Sequence, residues 1–172
     1  MKEVLIVIDM QKDFLTGALA NAKEKTVTAN VRSKIEKWRK EGKEIVFTRD
    51  THGENYLQTQ EGERLPVPHC IKNTDGWQII DGLNDSTDKV FDKPTFGSVD
   101  LPSVIKAYGE AIEEIALCGL CTDICVISNA MILKATFPDV RITVYENCCA
   151  GVTKESHATA LDAMRAVQIE VK

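Results

Sequence analysis

Five consecutive apolar residues at positions 4–8, Val-Leu-Ile-Val-Ile, place the strongest constraint on this chain. A strand with one wet face alternates apolar and polar side chains, so a run without alternation is buried on both faces. Such a strand needs cover above and below, and parallel strands obtain it from the helices that connect them. Strand-like runs return at 45–48, 89–91, 115–118 and 140–145, with a short edge strand at 168–171. Between them the period lengthens to that of a helix. Val31, Ile35 and Trp38 mark one face of a helix over 28–40, closed by Gly42. A helix over 101–108 has Pro102 in its first turn. A last helix, over 156–166, turns Ala158, Leu161, Ala163 and Met164 inward. The alternation predicts a three-layer αβα fold with a mainly parallel central sheet of about six strands. Residues 1–172 read as one domain, with no repeat, linker or low-complexity segment.

A composition of 44% hydrophobic and 27% charged residues is that of a globular chain with a full core, which excludes disorder. The net charge of −5 is interspersed, which argues against nucleic acid or an anionic membrane as partner. No apolar run approaches the roughly 20 residues needed to span a bilayer, and no signal-peptide pattern is present, so a cytoplasmic location is expected. Six cysteines spread through such a chain read as reduced thiols.

In parallel α/β folds, ligands bind outside the carboxyl ends of the strands. Asp9, Asp50, Lys93 and Cys125 each follow the end of a different predicted strand, which points to a site assembled along one edge. Around Cys125 the strand at 115–118 gives way to a helical pattern of Ile124, Ile127, Met131 and residues 133–135, with Ala130 inside. Thr122 or Asp123 suits the N-cap and puts Cys125 in the first turn, where the helix dipole favours a thiolate. Cys125 then reads either as a nucleophile or as a small buried hydrophobe. Beside Asp9 and Lys93, the first reading becomes a Cys–Asp–Lys triad. Asp9 would act as general base, and Lys93 would hold the carboxylate. The oxyanion would lie against the backbone N–H of Cys125 and of a residue in the 119–121 turn.

Residues 50–80 form a long polar connection, a kind that is usually functional. It carries Asp50-Thr51-His52, His69 and intervening glutamates, a set of carboxylate and imidazole groups suited to a transition metal. His157 is expected on the surface. Cys118 and Cys121 match a dithiol motif, yet Cys118 closes a strand instead of opening a helix. A thiol redox or metal-binding protein using these two cysteines is the distant alternative. A cluster of Cys118, Cys121, Cys125 and Cys148 lacks two paired CxxC units.

These segments resemble the isochorismatase-like cysteine hydrolases over nearly the whole chain. Val-Ile-Asp-Met-Gln-Lys-Asp-Phe at 7–14 is similar to that family's opening strand, with Asp9 as its catalytic Asp. Lys93 sits in Asp-Lys-Pro-Thr-Phe-Gly-Ser, and Gly-Leu-Cys-Thr-Asp-Ile-Cys-Val at 119–126 is similar to the nucleophile segment. The resemblance implies Cys125 as nucleophile, a cis-peptide between Leu120 and Cys121, and oxyanion donors at Cys121 and Cys125. The Asp50-x-His52 and Pro-His69 pattern resembles the nicotinamidase and pyrazinamidase branch. That branch implies one divalent transition metal, zinc first, with iron and manganese as alternatives. Its ligands would be Asp50, His52, His69 and Glu61. Phe14 and Leu120 would line the substrate, a small amide. The second aromatic wall expected three residues before His69 is Pro66 here. The implied activity is hydrolysis of nicotinamide to nicotinate and ammonia through a thioester, in NAD salvage, by a homo-oligomer. Hydrolysis of another small amide or carbamoyl compound is the nearer alternative.

Overall fold

The computed structural model describes residues 2–20, 24–109 and 111–172. In it the opening apolar run is the inner part of β1 (Lys2–Ile8), and Val4 through Ile8 are all fully buried. Successive side chains of a strand point to opposite faces, so full burial of five in a row means that both faces are covered. The other strands are β2 (Glu44–Asp50), β3 (Lys89–Lys93), β4 (Ile112–Leu120), β5 (Arg141–Ala150) and β6 (Glu170–Val171). They form a sheet in the order β3-β2-β1-β4-β5-β6, every pairing parallel. The chain therefore winds outward from β1 in two directions, and the order reverses between β1 and β4. This is the doubly wound arrangement, with its switch point at the centre of the sheet.

Helices flank the sheet: α1 (Lys12–Leu15), α2 (Glu24–Lys40), α3 (Gln60–Arg64), α4 (Leu101–Lys106), α5 (Ile127–Thr136) and α6 (Lys154–Ala166). Val31, Ile35 and Trp38 of α2 are buried as their spacing predicts, and Gly42 leaves the helix in the left-handed region at φ +68°. Among the described residues no helix is long and apolar enough to cross a membrane. No disulfide is present among them either.

Four details depart from the sequence reading. In α6 the buried residues are Ala160, Leu161 and Met164, while Ala158 and Ala163 are exposed. The helix begins at Lys154 with a Thr153–Ser156 capping box, and alanines carry too little apolar signal to fix its phase. Strand β5 continues to Ala150, across an irregularity where the register slips between Leu117↔Val144 and Gly119↔Cys149. The Cys125 helix opens with one π-helical turn, Thr122–Val126, whose N-cap is Cys121 without a side-chain bond; neither Thr122 nor Asp123 caps it. The connection after β2 is no open loop: a 3₁₀ turn at Tyr56–Gln58 and α3 give it structure.

Candidate active site

Winding from β1 in both directions sets the carboxyl ends of β3, β2, β1 and β4 side by side. Lys93 and Asp50 end their strands and lie directly opposite each other in register. Asp9 follows β1 with φ +48°, and its backbone N–H donates to Thr48 Oγ1 at 3.2 Å. The Thr48 hydroxyl in turn donates to Asp9 Oδ1 at 2.6 Å. Asp9 Oδ2 lies 2.6 Å from Lys93 Nζ, and both side chains are fully buried. The same ammonium lies 3.4 Å from Cys125 Sγ, 3.5 Å from Asp50 Oδ1 and 3.2 Å from the Thr95 carbonyl. The four strand-end residues picked from sequence thus meet around one ammonium. The peptide between Leu120 and Cys121 is cis, as the resemblance implies.

The charges follow from this burial. Burial raises the pKa of Asp9; Lys93 opposes the shift, and the nearby Asp50 charge adds to it. Burial also works against the Lys93 charge, but Asp9, Cys125 and Asp50 outweigh it and hold the ammonium above the ordinary lysine range. Cys125 is driven well above a normal thiol by burial first and by Asp9 second, with Lys93 pulling the other way. The helix dipole alone would favour a thiolate. Here dehydration and the carboxylate win, and residue 125 is held toward the thiol form beside the Asp9 carboxylate.

A second cluster adjoins the first. His52 Nε2 lies 3.0 Å from Asp50 Oδ2 and 3.6 Å from Glu61 Oε1. His69 Nε2 lies 3.7 Å and 3.6 Å from the same two oxygens. One donor atom from each of the four residues falls within 4.8 Å of the others. The two histidines, far apart in sequence, are joined by a short ladder: His52 N–H donates to the Cys70 carbonyl and Lys72 N–H to the His52 carbonyl. His69 Nδ1–H donates to the Val67 carbonyl at 2.8 Å, which turns Nε2 toward the cluster. Two imidazoles and two carboxylates aimed at one point fit a divalent first-row transition ion. Glu54 and Glu63, in the same connection, are exposed and stand apart.

A cavity of about 580 Å³ opens over both clusters. Cys125, Asp50, Glu61 and His69 contribute to its lining, with Phe14, Leu120, Cys121 and Ile124 among its walls. Phe14 meets the His69 ring edge-on at 5.6 Å between centroids. Pro66 is exposed and is not part of the wall; Leu65, Phe96 and Val152 form the apolar rim instead. Cys118 is fully buried within β4, its thiol raised well above normal by burial. Cys121 faces the cavity, and burial pushes its pKa up to about 12. Neither state suits an exchange-active dithiol, which needs a thiolate within reach of solvent.

Sequence reasoning passed over three side chains that hold the site together. Gln11, fully buried, accepts from Asp50 N–H at 2.7 Å and donates to the Asp50 and Trp77 carbonyls. Asp13 Oδ2 accepts from Cys70 N–H at 2.7 Å, beside His69. Asn129 accepts from Ser98 N–H and donates to the Phe96 and Cys125 carbonyls, tying the segment after Lys93 to residue 125. Gln11 and Asp13 stood in a polar loop directly after a buried strand, the one available signal; Asn129 in a helix gave none. His157, expected on the surface, is partly buried and shares a 2.8 Å hydrogen bond with Thr122 Oγ1.

Fold and site define an αβα hydrolase of the amide-cleaving class, assembled at the switch point of a parallel sheet. The Isochorismatase domain model matches residues 3–172, and the chain belongs to the isochorismatase family. The chain is similar to the solved nicotinamidase/pyrazinamidase PncA from Bacillus subtilis, with 26% identity, 99% of each chain covered and a TM-score of 0.86. It is also similar to the pyrazinamidase of Pyrococcus horikoshii solved in complex with zinc: 28% identity, 100% and 99% coverage, TM-score 0.83. The N-carbamoylsarcosine amidase from Thermoplasma acidophilum is similar too, at 28% identity, 100% and 96% coverage, with a TM-score of 0.81.

Proposed function

We propose that this protein is a nicotinamidase, cleaving nicotinamide to nicotinate and ammonia with Cys125 as nucleophile and Asp9 and Lys93 as its partners. One observation carries the reading: Cys125 Sγ and Asp9 Oδ2 lie 3.4 Å and 2.6 Å from the same Lys93 ammonium, beneath a cavity that Asp50, Glu61 and His69 also line, with His52 in the same donor cluster.

In this mechanism Asp9 takes the thiol proton as sulfur adds to the carboxamide carbon. The oxyanion that forms is met by the backbone N–H groups of Cys121 and Cys125. Asp9 returns the proton to the nitrogen, ammonia leaves, and a thioester remains. Water, losing a proton to Asp9, then attacks the thioester. Collapse expels sulfur, which regains that proton, and the carboxylate is released. Lys93 keeps the Asp9 carboxylate oriented throughout. Asp50, His52, Glu61 and His69 would hold a divalent ion, zinc by analogy with the Pyrococcus structure. When bound, that ion would supply a Lewis-acid anchor for the ring nitrogen. Phe14 and Leu120 would flank the ring.

The test is ammonia release from nicotinamide, expected in the wild-type protein and lost both in Cys125→Ala and after exhaustive chelation. Undiminished turnover by Cys125→Ala would overturn the reading. A second reading, hydrolysis of a carbamoyl or other small amide, draws on the apolar rim left where Pro66 supplies no wall, and on the likeness to N-carbamoylsarcosine amidase. Strong turnover of such a compound with none of nicotinamide would select it.

A further inference from the structure

The π-helical turn that carries Cys125 has no side-chain cap of its own: Ile124 and Val126 N–H donate to the Cys121 carbonyl at 3.1 and 3.0 Å, and from the helix that follows Ser128 and Asn129 donate to the Ile124 and Cys125 carbonyls at 2.6 and 2.8 Å. Its two polar side chains turn away from the cavity toward the junction between β5 and α6. Thr122 is fully buried, and its Oγ1 shares the 2.8 Å hydrogen bond with His157 Nδ1 on the first turns of α6. Asp123 accepts from the Val152 backbone N–H with both oxygens, at 3.1 and 3.3 Å. Gly151 lets the two segments approach: a Cβ there would meet His157 at 2.9 Å and Asp123 Oδ1 at 3.0 Å. The Thr153–Ser156 capping box fixes where α6 starts, and so where His157 points.

We propose that the β5–α6 junction is the buttress of the oxyanion-binding turn, with His157 as a positioning residue acting through Thr122. The proposal rests on the reading of Cys121 and Cys125 N–H as oxyanion donors, since Thr122 lies between them. Such donors act only when held about 2.7–3.1 Å from the developing charge, and losing one costs roughly 10²–10³ in kcat. An anchor that fixes the peptide planes of residues 121–125 serves the transition state and leaves substrate binding nearly untouched. His157 does not line the cavity, and it meets the turn at Thr122.

The experiment compares kcat and KM of the full chain, per folded protein by circular dichroism, for His157→Leu, His157→Asn, Thr122→Val and the Thr122→Val/His157→Leu double variant. His157→Leu and Thr122→Val should each lower kcat about 10- to 100-fold with KM within about 2-fold. His157→Asn, whose amide reaches the place of Nδ1, should recover most of the loss. The double variant should be no slower than the slower single one, because both remove the same bond. If either single variant does not fold, the other together with His157→Asn carries the comparison. An unchanged kcat in His157→Leu, a loss confined to KM, failure of His157→Asn to rescue, or losses that multiply in the double variant would overturn the proposal. A wild-type protein inactive on every amide tried would overturn the parent reading and this one with it, whereas an active wild type with indifferent variants overturns this one alone.

Discussion

Replacing Lys93 by Met keeps the length of the side chain and removes its charge at the point where the site is most heavily dehydrated. In the native chain the ammonium faces Asp9 at 2.6 Å, Asp50 at 3.5 Å and the Cys125 sulfur at 3.4 Å, with no solvent contact of its own. At an effective dielectric constant of about 20, the 2.6 Å pair is worth about 6 kcal/mol of attraction. Dehydrating the two ions costs several kcal/mol each, so the net value of the pair is far smaller. Truncation leaves that dehydration cost without its compensation, and the expected loss is about 3–5 kcal/mol of stability. Typical total stabilities of about 5–15 kcal/mol leave the variant folded but weakened. Urea denaturation at pH 7 measures it. The sign in pH follows from the raised Lys93 pKa: its contribution is complete below the unfolded lysine value of 10.5 and is lost only as pH rises through the folded value above it. On the acid side the gap should narrow, because Asp9 can take a proton and discard the unpaired charge. The same proton blocks its work as a base, so amide turnover should fall at least about 10²-fold. A variant within 1 kcal/mol of wild type, or one with undiminished turnover, would refute the claim that Asp9 depends on this ammonium.

Asn129→Leu should cost about 2–5 kcal/mol in urea denaturation and lower turnover, because two buried backbone groups at Ser98 and Cys125 and the part-buried Phe96 carbonyl lose their partner. Gly119→Ala should be among the most damaging changes, at least about 4 kcal/mol or a failure to fold, since φ is +118° and a Cβ would meet the Ile8 carbonyl oxygen at 2.0 Å. A soluble, cooperatively folding Gly119→Ala protein would contradict that approach of β1 to β4. The acid limb of kcat/KM should lie above the ordinary aspartate value of 3.8, because burial raises Asp9 and the base works only when ionised; a limb at or below that value would contradict it. Lys93→Met should bind zinc more tightly than wild type in a chelator competition, because Asp50 then has no second cation to share; weaker binding would show that the ammonium does not draw on that carboxylate.

The legible part of this chain was its local grammar. Residues 4–8 announced a doubly buried strand, and Val31, Ile35 and Trp38 a helix face, because full burial and a 3.6-residue stripe leave direct marks on residue type. Asp9, Asp50, Lys93 and Cys125 could be picked out because polar residues directly after buried strands have one shared destination in a parallel fold. The cap of the Cys125 helix was misread for a physical reason: Thr122 and Asp123 have side chains suited to capping, but both are spent on α6 and its approach, a contact about thirty residues distant. The phase of α6 was misread because alanine is at home on either side of a helix. Gln11 and Asn129 were passed over because an amide that binds backbone groups of other segments leaves no periodicity behind.

Strand order is the step that no local pattern supplies, and it explains why two constellations that read as separate in sequence share an atom group in space. With β2 between β3 and β1, the end of β2 has Lys93 on one side and Asp9 on the other. Asp50, at that end, spends Oδ1 on the ammonium at 3.5 Å and turns Oδ2 to His52 at 3.0 Å and His69 at 3.7 Å. A carboxylate so placed couples the two halves by charge alone: whatever cation draws on one oxygen weakens the claim on the other, and the effect is reciprocal. An ion held by the Asp50, His52, Glu61 and His69 donors would then loosen Lys93 from Asp50 and leave it more fully to Asp9 and Cys125. The ordering β3-β2-β1-β4 therefore does more than gather four residues. It would make the pairing of Asp9 with Lys93 depend on whether the neighbouring donor set is filled.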